Sequence, residues 1–414
     1  MKVLTLNCGS SSVKYRLFDI DSRTELAGGV VEKIGSVSAV VNYYAGEKEI
    51  REMHQVPHHR SAIKLAIKFL MHPELGAIKD IKEIDAVGHR IVHGGEENTA
   101  SVLLSTEKIA EIEKYNKLAP LHNPHNLNGV YICKRFLPHV KQIGVFDTAF
   151  HHTLPNYAYL YGIPPVLYRK HGIRKYGFHG ISHLYVTEKT AEKIGKSLDE
   201  LKIVTCHLGN GSSMAAVDRG RSVETTMGFT PLDGLLMGTR SGELDPAVIP
   251  FVMDAETLEV DEVMKILNKR SGLLGVSGVS NDVREIVEEM QAGNEQTALA
   301  MEMFTYRIKK YIGAFAAIMG GVDAITFTGG IGENSVWVRQ HACSGLEFLG
   351  VMIEEKYNNE NRTIISTGKS RVTVLVIPTN EELKIALETA AVIKTEVSRV
   401  AEEGTGWDRV CNQL

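Results

Sequence analysis

Cysteine is scarce and scattered along this 414-residue chain: Cys8, Cys133, Cys206, Cys343 and Cys411 are odd in number and form no CxxC pair. That pattern argues against a disulfide framework or a thiolate zinc site and suits a reducing compartment. Long apolar runs are also missing. The most apolar stretch, Ile312 to Val322, is too short to span a bilayer and ends at Asp323. The opening MKVLTLNCGS carries far too short an apolar run for a signal peptide, so a cytoplasmic protein with no membrane partner is expected. Positive charge is not in excess: 46 Lys and Arg stand against 50 Asp and Glu, a net charge of −4 that leaves no footprint for nucleic acid. No low-complexity linker interrupts the chain. A hydrophobic content of 43% with 23% charged residues describes a soluble globular protein, and the length asks for two domains.

Strand-like and helix-like patterns alternate throughout, as in an α/β protein. KVLTLN, VKYRLFDI and AGGVVEKI read as successive strands, Ser61–Leu70 as an amphipathic helix, IDAVGHRIVHGG as a strand entering a glycine turn, and KQIGVFD as a buried strand ending at Asp147. In the second half, LKIVTCHLGNGSSMAAVDRGR is again strand, turn and strand. Asp261–Lys269 and Asn294–Met319 read as helices, VDAITFTGGIGEN as a buried strand running into glycines, and the segment from Arg371 as a strand, a turn and a closing helix. The last residues, GTGWDRVCNQL, lack periodicity and read as a loose tail.

Near the N-terminus, TLNCGSSSVKY has glycine, hydroxyls and a lysine, the ingredients of a phosphate loop, but it is not GxxxxGK[ST] and a strand rather than a helix follows. LNCGSSSVKYRLFD resembles HLGNGSSMAAVDRG, with Asn7 set against Asn210. Gly/Ser hairpins are common, so chance similarity stands beside duplication. If the repeat is real, each half opens with a hairpin whose tight turn offers backbone N–H groups to phosphates from one side of a shared cleft. FTGGIGEN is not GxGxxG and no acidic residue follows at Rossmann spacing, which excludes a dinucleotide fingerprint.

NCGSSSVK, GHRIVHGG, FDTAFH, YGFHGISH, HLGNGSS, MGFTPLDGLLMGTRSGELDP, FTGGIGEN and IPTNEE, spread from end to end, together resemble the acetokinase family, whose members are acetate kinases within the superfamily of sugar kinases, chaperone ATPases and actin. The resemblance implies an α/β fold of two domains, each on an RNase H-like βββαβαβα core, with a nucleotide cleft between them and the final helix returning to the first domain. The boundaries expected are residues 1–150 plus about 383–400, and 151–382. It implies reversible, direct in-line transfer of the ATP γ-phosphoryl to acetate, giving acetyl phosphate and ADP, with Mg²⁺ (or Mn²⁺) and in a homodimer. The same chemistry on propionate or butyrate is the nearest alternative. A nucleotide-switched binding module and a non-catalytic anion-binding protein are rivals from other classes.

A carboxylate acceptor, with a pKa of roughly 4 to 5, is already ionised at neutral pH and needs no strong base. The obstacle is charge: two anions about 4 Å apart repel by roughly 4 kcal/mol at an effective dielectric of about 20. The site should therefore be rich in arginine, backbone N–H groups and metal. Arg90 and Arg240 each sit at a glycine-flanked turn, where a guanidinium fork can meet carboxylate or phosphate bidentately; a surface arginine is the bland alternative. The resemblance implies that Arg90 positions acetate and Arg240 stabilises the transferring phosphoryl. His179, before a glycine that opens a helix, can reach a phosphoryl oxygen, with His122 and His207 behind it in rank. Asp147 either caps the turn after its strand or, as the resemblance implies, is a catalytic acid; the reading adopted is orientation of Arg90 or of metal-bound water. Asn7 and Glu381 are the implied Mg²⁺ shell, although sequence does not separate Glu381 from Glu382. Implied nucleotide contacts are Ser12 and Lys14, the turn His207, Leu208, Gly209, Asn210 and Gly211, the segment Asp282, Val283 and Arg284, and the loop Gly330, Ile331, Gly332, Glu333 and Asn334. A small cup for the acetate methyl is implied at Val92, Leu121, Phe178 and Pro231.

Overall fold

The structure is a computed structural model describing residues 1–411. It divides into two compact units: Met1–Ala149 together with the chain from Asn380, and Phe150–Thr379.

In the first unit, β1 (Lys2–Cys8), β2 (Ser12–Asp19) and β3 (Thr24–Glu32) form an antiparallel meander, extended by β4 (Ala39–Ala45) and β5 (Lys48–His54). On the other side of β1 lie β6 (Ala86–Ile91) and β8 (Lys141–Phe146), both parallel to their inner neighbour, with β7 (Val102–Leu103) as a short antiparallel edge. The sheet order is β5-β4-β3-β2-β1-β6-β8-β7. Its central strands are near-continuous apolar runs because both faces are covered. The helix His59–Leu70 buries Ile63, Ala66, Ile67 and Leu70 on one face, and the closing helix packs Ala386 and Ala390 against Val3 and Phe18 on the other.

The second unit repeats the plan. β9 (Lys202–Leu208), β10 (Ser212–Asp218) and β11 (Arg221–Thr225) are antiparallel, and β12 (Ala324–Thr328) and β13 (Thr373–Val376) continue in parallel on the far side of β9, in the order β11-β10-β9-β12-β13. Each unit thus carries the same 3-2-1-4-5 core, the RNase H-like arrangement expected. The helix Glu295–Met319 packs Met301, Phe304, Ile308, Ile312 and Phe315 into the main core of this unit. Asn294 caps that helix by accepting from the N–H groups of Gln296 and Thr297.

The pairing register corrects one detail of the repeat. Asn7 pairs with Lys14 across β1 and β2, whereas the corresponding ladder position in the second unit is His207 opposite Ser213; Asn210 lies in the turn itself. The duplication is one of topology, and the two asparagines are not equivalent. The C-terminal expectation also changes. The closing helix spans Glu381–Cys411, so the segment read as a tail is helical as far as Cys411, and residues 412–414 lie outside the described residues. Gly404 and Gly406 lower helix propensity without forbidding the helix. Among the described residues no helix is long and apolar enough to cross a membrane, and Cys8, Cys133, Cys206 and Cys343 are buried free thiols.

Candidate active site

In the first unit the candidate residues gather at the C-terminal ends of β1, β6 and β8. Arg90 points off β6 and Asp147 follows β8, anchored by its own N–H donating to the Ile91 carbonyl at 3.1 Å. Arg90 donates from Nε to Asp147 Oδ1 at 3.0 Å and from Nη2 to Asp147 Oδ2 at 2.7 Å. Asp147 is 1% exposed and Arg90 19%, so this bidentate pair is a desolvated, orienting contact rather than a surface ion pair. Glu381, the first residue of the closing helix, brings Oε2 to 3.8 Å from Arg90 Nε. Burial pushes the Glu381 carboxyl above its ordinary range; Arg90 opposes this, and Asp147 and Glu382 add to it. Lys14 on β2 also acts on this carboxylate and faces Asn7 across the hairpin. Ser12 begins β2.

Val92 directly follows β6 and is 6% exposed, while Leu121 is 58% exposed in the segment before the helix Asn123–Phe136. His122 is the N-cap of that helix.

In the second unit His179 caps the helix Gly180–Ile194 with φ 57°, a left-handed conformation uncommon for a side chain of its size. Its ring is held by Nδ1 against Ser213 Oγ at 2.9 Å, and the same hydroxyl meets His183 Nε2 at 2.8 Å. His183 is fully buried, bonds Thr205 through Nδ1 at 2.7 Å, and is driven by burial well below the usual histidine pKa. It therefore acts as a neutral strut. His207, at the end of β9, lies with its ring 4.3 Å from that of His179 and is oriented by Ser182 at 2.8 Å.

Arg240 joins them from the Met237–Arg240 turn. That turn closes through a Met237 N–H to Arg240 carbonyl bond of 3.1 Å and is pinned to the hairpin by the Gly238 N–H donating to the Asn210 carbonyl at 3.0 Å. A Cβ at position 238 would lie 2.0 Å from Asn210 Oδ1, so any larger residue there would have to push the Asn210 amide aside. A Cβ at residue 211 would stand 3.5 Å from both Arg240 Nη1 and His179 Cε1, which marks the Gly209–Gly211 turn as the point on which guanidinium and imidazole converge. Arg240 Nη1 donates to the Pro231 carbonyl at 3.2 Å. Among the described residues no carboxylate lies within ion-pair distance of Arg240, and burial lowers its pKa. Phe178, 1% exposed, precedes His179 and packs with its ring inside.

A cavity of about 1050 Å³ opens beside the same turn. Of the residues assigned to nucleotide, Gly209, Asn210, Asp282, Val283, Arg284, Gly330, Ile331 and Asn334 line it. Several others do not. Leu208 is a strand residue with its side chain fully buried in the core, and His207 likewise belongs to β9 rather than to the turn. The GIGEN segment is a helical turn, Gly329–Asn334, rather than an open loop, and Gly332 is buried within it. Glu333 folds back, its Oε1 accepting from the N–H groups of Gly329 at 2.8 Å and Thr379 at 3.1 Å, so its carboxylate is spent on the protein's own backbone. Ser12 and Lys14 belong to the first unit. Sequence reasoning missed the wall of Trp337 stacked on His341, ring centroids 3.7 Å apart, and Asn281, which donates to Asn210 Oδ1 at 2.9 Å. A tryptophan four residues before a histidine, at helical spacing, was the available signal.

The profile of the acetokinase family matches residues 2–387. The acetate kinase of Halothermothrix orenii is 52% identical over 399 residues, covering 95% of this chain and 100% of that one. Among solved structures, Porphyromonas gingivalis acetate kinase superposes with a TM-score of 0.90 at 46% identity, covering 95% of this chain and 99% of that one. A propionate kinase from Francisella tularensis superposes at 0.89 with 40% identity, covering 94% and 99%. The end-to-end match, together with the two repeated cores, places this chain in the acetokinase family.

Proposed function

We propose that the protein is an acetate kinase that transfers the ATP γ-phosphoryl directly to the acetate carboxylate, reversibly, giving acetyl phosphate and ADP. The observation that carries the reading is Arg240: a partly buried guanidinium with no carboxylate partner among the described residues, converging with His179 on a glycine turn. A cation desolvated in this way is costly unless it meets an anion during turnover. In this reading Arg240 and His179 stabilise charge on the transferring phosphoryl, and the cavity beside the Gly209–Gly211 turn takes the nucleoside. In the first unit, Arg90 holds the acetate carboxylate through the guanidinium edge that Asp147 leaves free, and Asp147 fixes the plane of that guanidinium. No general base is required.

The donor set suits a hard divalent cation. Two carboxylates, Asp147 and Glu381, face one guanidinium, and the Glu381 carboxyl is raised first by burial, against Arg90, with Asp147 and Glu382 adding to it. Mg²⁺ is typically held by one or two protein oxygens together with substrate phosphates and its own waters. Asn7 and Glu381 would hold it. When bound, it supplies charge neutralisation for the phosphate oxygens.

A homodimer is supported by the helix Val248–Glu256, whose sequence VIPFVMDAE is apolar yet has no buried residue, with Phe251 72% exposed. Phe251→Asp should shift the sedimenting species to the monomer.

The activity test is to incubate the pure protein with ATP, Mg²⁺ and acetate and trap acyl phosphate with hydroxylamine. No hydroxamate, with ATP bound or not, would defeat the reading. Running propionate in parallel tests the second reading, favoured by the 40% identity to a solved propionate kinase.

A further inference from the structure

The parallel ladder between β1 and β6 stops at the pair Leu6 and His89. Beyond it the two segments no longer pair with each other, one carrying Asn7 and Cys8, the other Arg90 and, just past the strand, Val92. The space between them is closed by one side-chain amide. Asn126, 3% exposed in the first turn of the helix Asn123–Phe136, donates from Nδ2 to the Cys8 carbonyl at 2.8 Å and accepts at Oδ1 from the Val92 N–H at 3.1 Å. One turn earlier Asn123 does the same for the next residue along, accepting from the His93 N–H at 3.0 Å and donating to the His93 carbonyl at 2.9 Å. One turn later Gly129 lets the helix approach, since a Cβ there would sit 2.5 Å from Cys8 Sγ. Positions 123, 126 and 129 share one helix face, and that face grips the two strand ends.

We propose that Asn126 is a positioning residue that fixes the acceptor subsite, Arg90 and Val92, relative to the metal-shell residue Asn7. The inference rests on the acetate kinase reading and deepens it. A primary amide is suited to this task because it offers a donor and an acceptor from one rigid plane, so the two backbones cannot drift independently. Asn126 is 3% exposed and both ends of its amide are taken up by backbone, so it acts through those two backbones. It acts on the Cys8 carbonyl, one residue beyond Asn7, and on the Val92 N–H, two residues beyond Arg90. A displacement of about 1 Å at a reacting centre can cost on the order of 10²-fold in rate, so a strut at this point has leverage.

The test compares wild type with Asn126→Ala, which removes both bonds, and Asn126→Asp, which keeps the acceptor for Val92 and sets an oxygen against the Cys8 carbonyl. For both variants KM for acetate and the Mg²⁺ activation constant should rise together, by roughly ten-fold or more, while KM for ATP and the ADP-induced change in Trp337 fluorescence stay near wild type. Wild-type hydroxamate formation separates the two levels: its absence defeats the acetate kinase reading, whereas its presence leaves the strut to be judged on the variants. If Asn126→Ala does not fold, Asn126→Asp carries the comparison by itself. A KM for acetate and a Mg²⁺ activation constant that both stay at wild type, or a rise in KM for acetate with metal activation untouched, overturns the proposal.

Discussion

Asp147 grips Arg90 through both carboxylate oxygens, at 3.0 Å and 2.7 Å, leaving one guanidinium edge for a ligand. An acid engaged in this way is poorly placed to accept a proton from substrate, and the ionised acceptor has none to give. Asp147→Asn should keep the fold and lose activity, because the amide cannot accept from both Nε and Nη2. The residual rate should not respond to added imidazole. Strong rescue by small exogenous bases would restore a general-base role.

Glu381 provides a test with a pH dependence. Its pKa is raised in the folded protein, mainly by burial. The protonated form is therefore favoured by folding, and the contribution to stability falls as pH climbs from the ordinary value of 4.5 through the folded pKa. Glu381→Gln removes that loss, so its Tm should gain on wild type progressively as pH rises across that window. The same change should abolish the increase in Tm that Mg²⁺ gives the wild-type protein. A Gln variant that gains nothing on wild type as pH rises would remove the raised pKa from the account, and one still stabilised by Mg²⁺ would place the metal elsewhere.

Both sheets were readable because their inner strands are near-continuous apolar runs leading into glycine turns, as KVLTLNCG and VDAITFTGG do. The β4–β5 hairpin was not, because Lys48–His54 is an edge strand with polar residues on both faces and no alternation to read. Arg90, Asp147, His179 and Arg240 were singled out by residue type, turn context and the family resemblance, and the structure pairs Arg90 with Asp147 and brings Arg240 beside His179 at the Gly209–Gly211 turn. Residues acting through register could not be singled out in this way. Glu333 looks like a ligand contact until its carboxylate is seen on backbone N–H groups, and Asn126 is one asparagine among many until the distant strand ends it joins are known.

Arg240 has no acidic partner to lose among the described residues, so replacing it should spare stability more than activity. Arg240→Ala should lower kcat by about 10²-fold or more, the scale of removing one preorganised donor to developing charge. Arg240→Lys keeps the charge but loses the fork that reaches both the Pro231 carbonyl and a ligand, and should recover little. Near-normal kcat in the lysine variant would reduce Arg240 to a general positive charge.

Val92 tests chain-length selection. Acetate offers one methyl group for apolar recognition, so the pocket has to end just beyond it. Val92 lies two residues after Arg90 but in a bend just past the end of β6, so strand alternation does not carry its side chain onto the face of Arg90; the valine is 6% exposed with its N–H held by Asn126. Its backbone is thus fixed independently of its side chain, and trimming the two methyls should enlarge the cup without moving Arg90. One methylene in a hydrophobic pocket is worth about 1–3 kcal/mol. Val92→Ala should therefore raise the propionate-to-acetate ratio of kcat/KM by roughly ten-fold to a hundred-fold. The gain should appear mainly as a lower KM for propionate, with kcat for acetate little changed, because the arginines and His179 are untouched. If both substrates weaken equally and the ratio stays put, Val92 is ordinary core and the acyl chain is measured elsewhere.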